Sequence, residues 1–205
     1  MEKRNKEKER RQRLERTFAI QTRQIDEENR TVELSFSSEE PYDRWWGTEI
    51  LDHSEGCVDL TRLQEVGCVL FNHNRDKVIG KPLSVSIENH RGIATVQFDE
   101  DEESDIIFQK VKGGSLKGVS VGYRVSVFED VAPNKKSTDG RFTGPVSVAK
   151  KWIPMEISIV SVPADATVGV GRSDEEQSNT GRSLGYFSRQ FQYNKNIFTH
   201  GGKRQ

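Results

Sequence analysis

The longest unbroken alternation of apolar and polar residues in this 205-residue chain runs from position 119 to position 127. Apolar side chains occupy every second position of it, which is the period of a β-strand with one buried face. Shorter alternations occur at residues 32–36, 83–87, 94–98 and 153–159, and residues 68–71 form a short apolar run. Repeated short strands of this kind predict a mainly β domain.

One segment interrupts this pattern and predicts a helix over residues 102–112. Acidic residues between positions 99 and 105 place negative charge at the positive end of the helix dipole. Ile107 and Val111 supply an apolar face, and Gly113-Gly114 can end the helix. Residues 133–145 predict an exposed loop between two strands. The predicted fold class is therefore mainly β with flanking helices.

Composition divides the chain into three parts. Residues 1–16 are mostly charged and predict a leader that is disordered or a frayed helix, with a basic arm that docks on a partner as the alternative. Residues 17–171 hold nearly all the apolar periodicity and predict the folded domain. Residues 172–205 are rich in Ser, Asn, Gln and Gly and predict a flexible polar tail or linker.

Charge and composition exclude several classes of function. The net charge is −1, so the chain as a whole gives no electrostatic basis for binding nucleic acid. Its apolar runs are far shorter than a membrane span, and the charged N-terminus has no apolar region behind it that would make a signal peptide. Cys57 and Cys68 make neither a disulfide framework nor a four-ligand zinc site, which favours a reducing, intracellular setting.

His73 is the strongest candidate for chemistry among the four histidines. It follows the apolar run of residues 68–71, and a histidine at the end of a core strand is held by rigid backbone while its ring can face a cleft. The alternative is a strand-end histidine that only satisfies a turn. A metal site would need tighter ligand spacing than His73, Asp76 and His90 provide.

Ser120 and Glu156 both fall on the polar side of a predicted strand. The glycines on either side of Ser120 remove neighbouring side chains and would leave room for a peptide substrate, whereas the alternative is an exposed serine on an amphipathic strand. Glu156 could orient an imidazole as the third member of a triad, or it could be a solvated glutamate.

Three short motifs follow one another within residues 17–170. They read Asn72-His73, Gly118-Val119-Ser120-Val121-Gly122-Tyr123 and Glu156-Ile157-Ser158-Ile159-Val160-Ser161-Val162-Pro163-Ala164, and Gly80 follows the histidine in an Ile-Gly turn. In this order, with a helix before the serine, they resemble the pattern of the prohead serine protease family of tailed phages. That family is similar in fold to the herpesvirus capsid-maturation protease. The segment from Trp45 to Glu65 departs from the family's common form.

The resemblance implies a serine endopeptidase with Ser120 as nucleophile, His73 as base and Glu156 as the third member, acting without a cofactor or a metal. It also implies an antiparallel β-barrel of the herpesvirus-assemblin-like kind, whose closure would bring the three residues together. The expected substrates are the scaffolding segment of the phage major capsid protein and the protease itself. The expected location is the host cytoplasm, inside the immature phage head, and formation of a homo-oligomer is left open.

Two further points stay open at this stage. Backbone N–H groups between Gly122 and Arg124 are candidates for holding the oxyanion. The tail after Arg172 is either removed by the protease itself or docks on the capsid protein through its aromatic residues. The alternative function is a non-catalytic head-assembly or scaffolding protein built on the same domain.

Overall fold

The structure is a computed structural model that describes Arg10 and residues 12–19 and 24–162. The predicted tail at residues 172–205 and most of the predicted leader lie outside these residues. Neither of the helices described below is long and apolar enough to cross a membrane.

Strands make up most of the described chain. They are β1 (Leu14–Ala19), β2 (Gln24–Asp26), β3 (Thr31–Ser38), β4 (Tyr42–Arg44), β5 (Gly47–Leu51), β6 (Val69–Phe71), β7 (Asn74–Glu88), β8 (Arg91–Phe98), β9 (Gly118–Val131) and β10 (Val146–Val160). The two helices are α1 (Thr61–Val66) and α2 (Glu102–Lys112). The prediction of a mainly β domain with few helices is confirmed.

The strands form one sheet in the order β1-β9-β10-β6-β7-β8-β3-β2, and β4 joins it through β5, which pairs with β10. Neighbouring strands are antiparallel except that β10 runs parallel to both β5 and β6. Within the described residues the end strands β1 and β2 are not paired with each other. The sheet is therefore not closed into a barrel, and the predicted closure is not confirmed.

The alternations found in the sequence coincide with strands. Residues 32–36 lie in β3, 83–87 in β7, 94–98 in β8, 119–127 in β9 and 153–159 in β10. Strand β1 was not predicted: it begins at Leu14 and pairs with β9, so the last residues of the predicted leader belong to the sheet. Arg16 is buried in β1, and a charged residue at a core position hides the period of the strand.

Helix α2 has the bounds and the ends that the sequence predicts. Asp101 caps it, because its Oδ1 accepts a hydrogen bond from the backbone N–H of Ser104 at 3.0 Å. Gly114 follows its last turn with a φ of 72°, which is the left-handed conformation that glycine adopts without steric cost. The helix lies just before the strand that carries Ser120.

Buried apolar side chains from β3, β9, β10 and both helices share one core. Fully buried members include Leu34, Phe36, Tyr123, Trp152 and Ile157. Helix α1 adds Leu63; it was not predicted because six residues are too few to show a helical period. Each fully buried leucine or phenylalanine contributes about 1.5–3 kcal/mol relative to an exposed one.

His53, just after β5, is buried, and this burial favours its neutral form. Its Nε2 lies 2.7 Å from Ser37 Oγ, and its Nδ1 lies 2.9 Å from the carbonyl oxygen of Leu51. Because a carbonyl can only accept, Nδ1 carries the proton and Nε2 accepts from the serine hydroxyl. Burial lowers the pKa of His53 to about 4.

We expect the free energy of unfolding to fall by about 2 kcal/mol between pH 7 and pH 5 because of His53. A histidine in the unfolded chain has a pKa of about 6.5, so below that pH the unfolded chain takes up a proton that the folded chain refuses. The contribution is complete above pH 6.5 and is lost as the pH falls towards 4. Urea unfolding at both pH values measures it. His53→Gln should remove this part of the pH dependence, and an unchanged slope in that variant would contradict the assignment.

Candidate active site

Three strands bring His73, Ser120 and Glu156 together. Strands β9 and β10 pair antiparallel, with Ser120 opposite Ser158. Glu156, two residues before Ser158, lies opposite Gly122. Strand β10 also pairs with β6 in parallel, up to Phe71, and the turn after β6 carries His73 to the same place. Side chains 47 and 83 residues from the histidine in sequence therefore meet it in space.

The ring of His73 makes a hydrogen bond at each nitrogen. Its Nε2 lies 2.7 Å from Ser120 Oγ, and its Nδ1 lies 2.8 Å from Glu156 Oε1. Because a carboxylate only accepts, Nδ1 donates to Glu156, which leaves the lone pair of Nε2 directed at the serine hydroxyl. In that tautomer the imidazole can take the hydroxyl proton.

The backbone of the turn after β6 fixes where this ring lies. Asn72 and His73 both have left-handed conformations, with φ of 52° and 58°. The backbone N–H of His73 donates to Ser158 Oγ at 3.2 Å, and that of Asn72 donates to the carbonyl oxygen of Ile159 at 2.9 Å. Asparagine is one of the few residues that adopts this conformation readily, which accounts for its place before the histidine.

Glu156 is nearly fully buried, with 3% of its surface exposed. The hydroxyl of Ser158 donates to its Oε2 at 2.8 Å, and Arg13 Nη2 donates to Oε1, the oxygen that also accepts from His73. Burial by itself raises the pKa of Glu156, but the hydrogen bonds from His73 and Ser158 and the charge of Arg13 bring it below its ordinary value. The carboxylate is therefore ionised at neutral pH.

Sequence reasoning missed Arg13 and Ser158 as members of this site. Ser158 stands two positions after Glu156 and so shares a face of β10 with it, a spacing that could have been used. Arg13 gives no such signal, because it lies among many charged residues of the predicted leader. Its side chain is only 18% exposed once it is paired with Glu156.

The glycines beside Ser120 do not leave room for a substrate, and that prediction was wrong. A Cβ atom at Gly122 would lie 2.4 Å from Glu156 Oε1 and 2.7 Å from Arg13 Nη2. A Cβ atom at Gly118 would lie 2.6 Å from the carbonyl oxygen of Val160 on β10. The absent side chains let β10 approach closely and let the carboxylate and guanidinium sit over β9.

Ser120 is not on an open face of its strand, since 0% of its surface is exposed. Strand β1 lies beside it with Thr17 in the opposite position. Besides His73, the serine Oγ lies 3.0 Å from the backbone carbonyl oxygen of Arg16 and 3.2 Å from Thr17 Oγ1. Both the functional and the alternative interpretation of this serine had expected exposure.

A cleft of about 620 Å³ adjoins the histidine. Residues of β1, the β4 strand, the turn after β6 and the end of β10 line it, among them Glu15, Tyr42, Arg44, His73 and Val162. Glu15 Oε2 lies 3.6 Å from His73 Nε2.

The predicted oxyanion donors do not face this cleft freely. Gly122 and Tyr123 lie inside β9, paired with β1 on one side and with β10 on the other. Paired backbone of this kind does not support a role as oxyanion donor.

The other predicted chemical candidates stay apart from this site. His90 lies near Arg141 and Glu39 instead, and Asp76 is in β7. Over the described residues, no three His, Cys, Asp or Glu side chains are placed to hold a metal ion. Cys57 and Cys68 are both free thiols.

Comparison with known proteins gives one family and one relative. The family model described as caudovirus prohead serine protease matches residues 20–183. The protein named major capsid protein in Halomonas phage phiHAP-1 is 34% identical over 151 residues, which are 72% of this chain and 24% of that protein. The chain thus spans about a quarter of the length of that relative. No solved structure matches the chain.

Proposed function

Because this chain belongs to the caudovirus prohead serine protease family, we propose that it is a serine endopeptidase that cleaves the scaffolding segment of the phage major capsid protein, and itself, during prohead maturation. The observation that carries the proposal is the chain of two hydrogen bonds from Ser120 through His73 to Glu156, at 2.7 and 2.8 Å. A non-catalytic assembly protein would have no need of this alignment.

The mechanism follows from these atoms. Neutral His73 takes the proton of Ser120 as the serine oxygen bonds to a peptide carbonyl carbon, and the resulting imidazolium gives that proton to the leaving amine. Glu156 stabilises the imidazolium and holds Nδ1 in the donating role. Water then hydrolyses the ester, with His73 again acting as the base. Each step uses only side chains already in contact.

The identity of the substrate rests on the relative in Halomonas phage phiHAP-1. A segment similar to this chain forms part of a protein named major capsid protein there. This likeness supports the proposal that the substrate is a capsid protein, cut before the shell matures. In this proposal the enzyme works inside the immature head in the host cytoplasm.

Co-expression of the chain with the major capsid protein of the same phage tests the proposal. Intact-mass spectrometry should show a shortened capsid protein, and a small fluorophosphonate should label Ser120. A capsid protein that stays full length beside a chain that does label would leave a serine hydrolase with another substrate. Folded protein that neither labels at Ser120 nor shortens the capsid protein would overturn the proposal.

We expect Glu156→Gln to lower kcat/KM for a peptide. The factor of this loss should be at least about ten times smaller than the factor lost when the nucleophile is removed. Glutamine keeps the shape of the side chain but removes the charge that stabilises the imidazolium, whereas the serine forms the bond itself. Activity of the folded variant from pH 6 to pH 9 measures the effect. Glu129→Gln, at a half-buried glutamate of β9 whose Oε1 accepts hydrogen bonds from Thr138, is the control. Full activity of Glu156→Gln would show that another group, and not Glu156, orients and stabilises His73.

A further inference from the structure

Strand β1 covers the nucleophile from one side. It lies at an end of the sheet and its described partner is β9, with Thr17 opposite Ser120. Without β1, the edge of the sheet would be β9, with Ser120 on it. The open edge of a sheet is the place where an extended peptide adds as an extra strand. Strand β1 therefore occupies the position on β9 that a peptide would take in order to reach Ser120.

Arg16 presents its peptide group to the serine. Its carbonyl oxygen lies 3.0 Å from Ser120 Oγ, and Thr17, on the far side of the next peptide bond, comes within 3.2 Å through its own hydroxyl. The hydroxyl of Ser120 has one proton, so the Arg16 carbonyl competes for it with His73 Nε2. In this arrangement the hydroxyl of Ser120 is held in place, but its proton is shared between the Arg16 carbonyl and His73.

The side chain of Arg16 fills a buried polar pocket. It is 1% exposed, and its guanidinium lies over the ring of Tyr42 at 5.2 Å. Glu49 in the same pocket is fully buried and accepts a hydrogen bond from the hydroxyl of Tyr123. Burial lowers the pKa of Arg16. Tyr123 and the carboxylate of Glu49 oppose this, and the positive charge of Arg44, 3.6 Å from Glu49, adds to the lowering. A carboxylate with aromatic walls is what a guanidinium requires in order to be buried.

The segment that matches the family model begins directly after this strand. The family model matches residues 20–183, and β1 ends at Ala19. The strand that covers Ser120 therefore lies outside the matched segment, whereas His73, Ser120 and Glu156 lie inside it. Withdrawal of β1 leaves His73, Ser120 and Glu156 on the rest of the sheet, and it also draws Arg13, which directly precedes β1, away from Glu156.

We infer that β1 occupies the place of a substrate, and that the enzyme takes an extended peptide with arginine on the N-terminal side of the bond it cuts. The inference rests on the proposed function. The substrate strand replaces β1 on β9, its arginine enters the pocket of Glu49, Tyr42 and Tyr123, and its carbonyl carbon lies beside Ser120. The serine oxygen bonds to that carbon, the C–N bond breaks, and the amine leaves with the proton that His73 removed from the serine.

The pocket is tested on the unaltered full-length chain with three peptidyl diphenyl phosphonates. They carry arginine, alanine or glutamate at the position next to the phosphonate and are otherwise identical. We expect the arginine compound to modify Ser120 at least about tenfold faster than either of the others, a difference typical of one buried charge pair. Equal rates, or a preference for glutamate or alanine, would overturn the pocket assignment.

The cover is tested by two substitutions at one position. Proline in Thr17→Pro cannot donate a hydrogen bond and has a φ unsuited to a strand, so it loosens β1, whereas Thr17→Val keeps a strand-forming side chain. We expect a small alkyl fluorophosphonate to label Thr17→Pro at least about tenfold faster than Thr17→Val. Circular dichroism checks the fold of both. Leu14→Ala, which removes a buried side chain of β1, repeats the test by a different route.

The outcomes separate this inference from the function on which it rests. Equal labelling of folded Thr17→Pro, Leu14→Ala and Thr17→Val would overturn the cover while leaving a serine hydrolase. Absence of labelling at Ser120 in all of them, with either class of reagent, would overturn the proposed function itself.

Discussion

Ser120→Ala is expected to lower the rate of capsid-protein cleavage by about 10⁴-fold or more, because Ser120 Oγ is the hydroxyl that lies 2.7 Å from His73 Nε2. His73→Ala should have an effect of similar size, since the two residues act as one unit. Neither change removes an apolar side chain from the core, so the circular dichroism spectrum should be unchanged. Co-expression with the capsid protein, followed by intact-mass spectrometry, gives the readout.

The chain offers a matched control for the serine. Ser126 lies on the same strand and donates to the carbonyl oxygen of Lys151 at 3.2 Å, on the exposed part of β9. Ser126→Ala should cleave at the wild-type rate. Wild-type cleavage by folded Ser120→Ala would show that the bond to His73 is structural and would remove the triad from the mechanism.

Gly122→Ala is expected to reduce cleavage by at least about 10²-fold although it adds only a methyl group. That methyl would lie 2.4 Å from Glu156 Oε1 and 2.8 Å from Arg13 Nε, so the carboxylate must move away from His73. A displacement of about 1 Å in a group that positions a base is enough for an effect of this size. Overpacking should also lower the free energy of unfolding by about 1–3 kcal/mol.

Gly118→Ala separates the loss of stability from the loss of activity. Its added methyl would meet the backbone and side chain of Val160 but no member of the site. We therefore expect a similar loss of stability, measured by thermal unfolding, with a much smaller loss of cleavage in the variant that remains folded at the assay temperature. Equal activity of the two variants would contradict the view that Gly122 makes room for Glu156.

Many strands and helix α2 could be predicted because the sequence signals for them are local. The alternation through Val119 and Val121 marks β9, and Asp101 with its acidic neighbours marks the start of α2. His73 could be placed at the end of a buried strand because residues 68–71 form an apolar run. Such signals lie within a few residues of the feature that they predict.

The remainder depends on contacts between distant residues. The burial of Arg16 is compensated by Glu49, on another strand, and no local pattern in residues 14–19 reveals it. For the same reason the first half of the strand that hides Ser120, residues 14–16, was assigned to a charged leader. The parallel pairing of β10 with β6, which brings His73 to Glu156, joins residues far apart in sequence. Local patterns together with the family resemblance singled out the three residues that the structure brings together, but not the strand that covers one of them.

The parallel pairing of β6 with β10 also bears on when activity begins. Its two strands are separated by most of the domain, and closing so long a loop is slow compared with forming hairpins and helices. His73 meets Ser120 and Glu156 only after this late pairing, so a chain that has formed its early hairpins still has no working site. We therefore expect a newly made copy of the proposed protease to pass through an interval, before this pairing forms, in which it meets other proteins without cutting them.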